Sequence, residues 1–109
     1  MTNQEIKKVY ENGLSLANRN LVLYYRKNEL GLNRLAVSVS KKLGNSVIRH
    51  RVKRIVKEGY REIKSTLPDG GACLEGYDFV FIARTSCVPM KSTEISGSIC
   101  HILKKAKLI

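Results

Sequence analysis

The chain has 109 residues, with 20 Lys and Arg against nine Asp and Glu and a formal net charge of +11 at pH 7. That length holds one domain with a single modest core, and a hydrophobic fraction of 43% gives enough apolar surface to fold and excludes disorder. So basic a folded domain points to a polyanionic partner, nucleic acid ahead of an anionic membrane surface. No apolar run approaches the roughly 20 residues that span a bilayer, and no charged-then-apolar leader opens the chain. A cytoplasmic protein with no membrane association is expected. Cys73, Cys87 and Cys100 are odd in number, widely spaced and without a CxxC pair, which reads as free thiols in a reducing compartment rather than disulfides or a metal centre.

Residues 3–12, NQEIKKVYEN, place Ile6, Val9 and Tyr10 on one side of a short helix that Gly13 stops. Residues 14–17 read as a short strand, 18–20 as a turn, and 21–25 as a longer strand with Val22, Tyr24 and Arg26 on one face. Residues 28–33, with Gly31, read as a hairpin connection. Residues 35–40 alternate strictly, with Leu35, Val37 and Val39 on one side and the small Ala36, Ser38 and Ser40 on the other.

Residues 41–64, KKLGNSVIRHRVKRIVKEGYREIK, form a long helix capped at Asn45 or Ser46. Ile48, Val52, Ile55, Val56, Gly59 and Ile63 fall in one sector, with Tyr60 at its edge. A loop over 66–76 contains Pro68-Asp69-Gly70-Gly71. Residues 77–83 read as a largely buried strand. Ser92 or Thr93 caps a last helix with Ile95, Ile99, Ile102 and Leu103 inward and Lys104, Lys105 and Lys107 at its end. The order is α-β-β-β-α-β-α, an α+β sandwich in one domain over residues 1–109.

The long helix carries the functional signal. His50, Lys53, Arg54, Lys57, Arg61 and Lys64 lie opposite its apolar stripe, and Arg49 and Arg51 flank it. A solvated face usually mixes signs at i,i+4 spacing. Here nine cations in residues 41–64 face only Glu58 and Glu62, and Arg54–Glu58 is the one such pair. Such a face suits an external polyanion. Lys41, Lys42, Asn45 and the amides that open the helix add a positive end to it. Tyr10, Tyr24 and Tyr25 are candidate platforms for stacked bases, Tyr24 foremost because its strand face also carries Arg26 beside small neighbours. No catalytic constellation competes. The acids are scattered, and His50 and His101 lack a nucleophile or an orienting acid, so no catalytic and no metal-ligating residue is assigned.

Residues 38–62, SVSKKLGNSVIRHRVKRIVKEGYRE, resemble the signature of the protein subunit of bacterial ribonuclease P. NGLSLANRNLVLYYRKN ahead of it, and YDFVFIAR and EISGSICHILKKAKLI behind it, extend the resemblance over nearly the whole chain. It implies a left-handed β-α-β crossover, a rare exception to the usual hand. It also implies a small RNA-binding protein that joins a catalytic RNA to remove the 5′ leader of precursor tRNA by hydrolysis. The RNA and its Mg²⁺ ions would perform the chemistry, with no cofactor held by the protein alone and no protein partner required. The arginine-rich motif, which contacts the catalytic RNA, carries over to Lys42, Asn45, Arg49, His50, Arg51, Lys53, Arg54 and Lys57, beside Lys41 and Arg61 from the charge pattern. The leader cleft carries over to Ile6, Tyr10, Val22, Tyr24 and Ser38, beside Arg26 from the strand face. By holding the leader, the protein would favour precursor over product and strengthen binding of functional metal ions by RNA and substrate.

The chain departs from that pattern where Arg49-His50-Arg51 replaces Arg-Asn-Arg, where Ile6 replaces an aromatic, and in lacking the usual basic extension before the first helix. Two other readings stay open from the residues alone. A stand-alone nucleic-acid-binding module would bind RNA tightly without stimulating precursor cleavage. A binder of membrane surfaces or acidic proteins would associate with anionic vesicles as well as with RNA.

Overall fold

The computed structural model describes residues 2–31, 33–66 and 76–106. Helices α1 (Asn3–Asn12), α2 (Ser46–Thr66) and α3 (Ser92–Lys105) alternate with strands β1 (Leu14–Ala17), β2 (Leu21–Lys27), β3 (Arg34–Ser38) and β4 (Tyr77–Ala83) in the order α-β-β-β-α-β-α. The α+β class and the element order match the sequence reading. The Pro68–Gly71 turn, Cys73 and Lys107 lie outside the described residues.

Each helix start has a local cause. Thr2 caps α1 by a reciprocal pair: its hydroxyl accepts the Glu5 amide at 3.2 Å, and its amide donates to the Glu5 carboxylate at 2.8 Å. Gly13 ends α1 because a Cβ there would sit 2.5 Å from the Val9 carbonyl oxygen and 2.6 Å from that of Tyr25. Asn45 caps α2 through its Oδ1, which accepts the Ile48 amide at 3.0 Å. The cap of α3 differs from expectation. It is Lys91, not Ser92 or Thr93, and its amide donates to the Glu94 carboxylate at 3.2 Å.

The sheet order is β1-β2-β4-β3, with β4 antiparallel to β2 and parallel to β3. The hairpin expected over residues 28–33 therefore does not form. Phe79, Val80 and Phe81 are all fully buried, so β4 is apolar on both faces and takes a central place, separating β2 from β3. The 28–33 connection instead ties to the start of β4: the Asn28 amide donates to the Gly76 carbonyl at 2.7 Å, and the Tyr77 amide donates to Asn33 Oδ1 at 3.0 Å. β2 runs two residues past its expected end. β3 stops at Ser38, because the chain then turns into a short 3₁₀ turn at Lys41–Leu43.

One sheet face carries the core. Leu21, Leu23, Val37, Phe79 and Phe81 pack with Val52, Ile55, Val56 and Tyr60 of α2 and with Ile95, Ile99, Ile102 and Leu103 of α3. The apolar stripe of α2 is buried as its periodicity requires. Gly59 lets α2 and α3 touch, since a Cβ there would lie 3.1 Å from both Ile95 Cγ2 and the Ser96 amide nitrogen. Gly59→Val is therefore expected to wedge the helices apart and lower stability by about 1–3 kcal/mol, measured by denaturant unfolding. A wild-type midpoint would contradict this packing.

The opposite face is lighter. Val22, Tyr24, Val80, Ile82, Ala36 and Ser38 share it by register, and α1 lies across β2 and β4 there, burying Val9 completely.

Candidate nucleic-acid interface

The position of α1 is fixed by a cluster that spans the chain. Arg34 on β3 donates from Nε and Nη2 to the two oxygens of Asp78 on β4, at 2.8 and 2.7 Å, and from Nη1 to Glu5 on α1. Asn28 adds a 2.8 Å hydrogen bond to Asp78. Bidentate geometry makes this the strong form of an ion pair. The Thr2 amide and then Arg34 hold the Glu5 carboxyl down to about 2. Burial pushes the Asp78 carboxyl up, but Arg34 and Asn28 outweigh it and hold the carboxyl below its ordinary value. Sequence patterns do not reveal this cluster, because its members lie far apart along the chain.

Anchored this way, α1 forms one wall of a cleft of about 440 Å³, lined by Asn3, Ile6 and Tyr10 of α1, by Val37, Ser38, Val39 and Val80 of the sheet side, and by Arg49 and Lys53 of α2. Tyr24 stands behind this wall, in edge-to-face contact with Tyr10 at a centroid distance of 4.8 Å. Tyr10 remains 38% exposed. Of the expected cleft residues, Ile6, Tyr10 and Ser38 line the cavity and Tyr24 supports it. Val22 lies farther along the same sheet face, paired with Ile82. Arg26 stands apart. Its neighbours are Glu5, Arg34 and Asp78, in a separate polar pocket. Tyr25 points to the core side and packs near Tyr77, 6.3 Å between centroids.

The basic residues around the exposed side of α2 do not all face one way. His50, Lys53, Arg54, Lys57 and Arg61 line an open groove on the solvent side, with Glu58 the one acid among its described lining residues. The Arg54–Glu58 pair is 3.8 Å long and exposed, so it offsets little of that charge. Arg49 leaves this group and turns into the cleft, where its Nε is buried and has no hydrogen-bond acceptor. Arg51 turns the other way. Its Nη1 and Nη2 donate to the carbonyls of Val88 and Met90 at 2.7 and 2.9 Å, which holds the turn before α3 against α2. Of the cations expected to face RNA, Arg51 is therefore committed to the domain's own backbone. Lys41 and Lys42 are exposed ahead of α2, where Gly44 has a φ of 140°, and Asn45 is spent on its cap.

Among the described residues no group of three or more His, Cys, Asp or Glu side chains is arranged to hold a metal ion, and no helix is long and apolar enough to cross a membrane. Cys87 is buried, its thiol pushed up by desolvation. The interface thus offers cations, a tyrosine pair and hydrogen-bond donors, the chemistry of RNA binding.

Comparison with known proteins supplies the family. The ribonuclease P family model matches residues 1–107. The chain is 49% identical over 104 residues to the ribonuclease P protein component of Clostridium botulinum, covering 95% of this chain and 89% of that protein. It is 43% identical over 106 residues to that of Lachnoclostridium phytofermentans, covering 97% and 86%. The structure of the Staphylococcus aureus RNase P protein superposes with a TM-score of 0.81 at 37% identity, over 99% of this chain and 94% of that one. The Thermotoga maritima RNase P protein gives 0.78 at 26% identity, over 94% and 91%. A match so nearly end to end, in sequence and in fold, places this chain in the ribonuclease P protein family.

Proposed function

We propose that the cleft between α1 and the sheet holds the single-stranded 5′ leader of precursor tRNA, while the solvent side of α2 lies on the catalytic RNA. The family relationship makes the chain the protein component of the tRNA 5′-maturation endoribonuclease. The observation that carries the finer reading is the lining of the cleft, where Arg49 and Lys53 of α2 stand with Tyr10 and Ile6 of α1, so that cations and an exposed aromatic edge share one channel. A backbone phosphate of an extended strand supplies an anion for those cations, and the exposed edge of Tyr10 offers a surface for a neighbouring base.

In this reading the protein binds and orients while the RNA hydrolyses. The Mg²⁺ ions that hydrolysis needs are, in the same reading, held by RNA and substrate. Leader contacts raise affinity for precursor and not for product, which has no leader, and that difference is what promotes turnover. A cytoplasmic location, where precursor tRNA is made in bacteria, fits this role.

Reconstitution with a bacterial ribonuclease P RNA at low Mg²⁺ tests the reading. Added protein is expected to raise the rate of leader removal, while protein alone leaves precursor tRNA intact. Tight RNA binding with no stimulation would favour a stand-alone RNA-binding module instead. Within the complex, Tyr24→Ala removes the support behind Tyr10. Base stacking on Tyr10 contributes about 1–3 kcal/mol, so loss of that support should raise Kd for leader-bearing precursor by at least about 5-fold and at most about 150-fold, with mature tRNA unaffected. Equal losses for both substrates would place the leader elsewhere.

A further inference from the structure

A second groove lies on the α3 side of the sheet, away from the cleft and from the solvent side of α2. It has a volume of about 330 Å³ and is formed where the β1–β2 turn, with Arg19 at its tip, meets α3 at Gly97, Ser98 and His101. The groove is built on a hydrogen-bonded frame. Asn18 Oδ1 accepts the Asn20 and Leu21 amides at 3.0 and 2.9 Å, which fixes the turn. Asn18 Nδ2 donates to the Ser98 carbonyl at 3.0 Å and lies 3.4 Å from His101 Nδ1. Asn20 Nδ2 donates to Ser98 Oγ at 2.6 Å, and Asn20 Oδ1 accepts from Ser86 Oγ at 2.8 Å.

Gly97 is the unexplained feature. Glycine inside a helix costs about 1 kcal/mol relative to alanine, and elsewhere in this fold that cost has a reason. Gly59, inside α2, has no room for a Cβ. At Gly97 a Cβ would meet nothing within 4 Å, and its φ is not in the left-handed region. The domain itself has no need of glycine there, whereas a ligand lying close along the helix would.

The surroundings identify the ligand's chemistry. Arg19 and Arg84 are exposed, and the Arg84 amide is bonded to the Asn20 carbonyl at 3.0 Å, which brings the residue after β4 beside the turn that carries Arg19. Lys105, by contrast, is committed to the domain's own backbone, its ammonium donating to the Ala17 carbonyl at the end of β1 at 3.0 Å. Neither Arg19 nor Arg84 is in an ion pair among the described residues, and Glu94 is the one acid among the groove's described lining residues. The lining side chains are amide, hydroxyl, imidazole and guanidinium, with the one carboxylate of Glu94, donors and acceptors suited to a sugar-phosphate backbone. The groove lacks the tyrosines that equip the cleft for unstacked bases.

We infer that this groove is a second RNA-binding site, which receives the sugar-phosphate backbone of a helical segment of the catalytic RNA along Gly97, with Arg19 and His101 contacting phosphates. The inference rests on the reading that the chain assembles with a ribonuclease P RNA. The protein then grips that RNA from two sides, at α2 and at α3.

Equilibrium binding to a bacterial ribonuclease P RNA, with hydroxyl-radical footprints, tests it using Gly97→Gln, Arg19→Ala and, as a separate probe of α2, Arg54→Ala. Gly97→Gln should melt no lower than wild type yet bind at least about fivefold more weakly, because its side chain fills the groove where the backbone would approach. Arg19→Ala should flatten the salt dependence by about 0.9, the value for one phosphate no longer neutralised. Both should lose one shared set of protected nucleotides, different from the set lost in Arg54→Ala. If both groove variants match wild type in Kd, salt slope and footprint while Arg54→Ala weakens binding, the second site is wrong and the assembly reading stands. Losses confined to precursor tRNA, or to an acidic protein, would equally overturn it. If the wild-type chain does not bind this RNA at all, both fail together.

Discussion

Replacing Arg54, Lys57 and Arg61 together with Ala is expected to cut affinity for the catalytic RNA by more than about a hundredfold at physiological salt while leaving the melting temperature nearly unchanged. All three side chains are exposed and line the solvent groove of α2, so none contributes to the core. Each phosphate that is no longer neutralised lowers the slope of log K against log salt by about 0.9, and the triple change lowers it by nearly three times as much. Among the described residues that line the groove, Glu58 is the one acid, and it makes one long exposed pair with Arg54, so the domain gains almost nothing from these charges. A triple variant that binds RNA with the wild-type salt slope would show that α2 faces something else.

The second large effect concerns Arg34. Arg34→Ala should destabilise the domain by about 2–3 kcal/mol at neutral pH, because removing one partner of a buried pair leaves the other charge uncompensated. The Arg34 side chain is 26% exposed, and solvent screening keeps the effect below that of a wholly buried pair. Asp78, 4% exposed, would keep only the Asn28 hydrogen bond. The pH dependence separates this cause from general damage. In the wild type, Glu5 and Asp78 both titrate below their ordinary values. Their contribution is complete above the unfolded values and fades on acidification from about pH 4.5 toward 2. In the variant, desolvation lifts the Asp78 carboxyl above its unfolded value, so the variant's folded state takes up a proton first. The gap between the two proteins should then narrow as pH falls. A gap that stays constant from pH 7 to pH 3 would show that Arg34 acts through packing alone. Since Arg34 also ties down α1, the same variant should weaken leader discrimination.

Much of this was legible from residue order, for identifiable reasons. The stripe from Val52 to Ile63 and the alternation around Val37 report burial directly, so the helices and strands fell close to their places. Neighbour relations in the sheet were hidden. The connection after Lys27 has hairpin composition, and only the double-sided burial of Phe79, Val80 and Phe81 explains why β4 displaces the local partner. The same limit applies to the site. A helical wheel places Arg49 and Arg51 as symmetric flanks of one face. It cannot show that Arg51 reaches the Val88 and Met90 carbonyls, or that Arg49 lines a cleft whose opposite wall is α1. The cap at Lys91 is equally invisible to residue type, because its backbone amide, met by Glu94, makes the cap.

The central position of β4 also governs the order in which the protein can mature on the ribosome. The strand that organises the sheet is the last of the four described strands, and α3, which closes the core over α2, comes later still. Until both have emerged, β2 and β3 have no common neighbour and the cationic helix has no apolar bed. A nascent chain ending before Tyr77 is thus expected to show helical charge without a protected core, and docking of α2 must await the final third of translation.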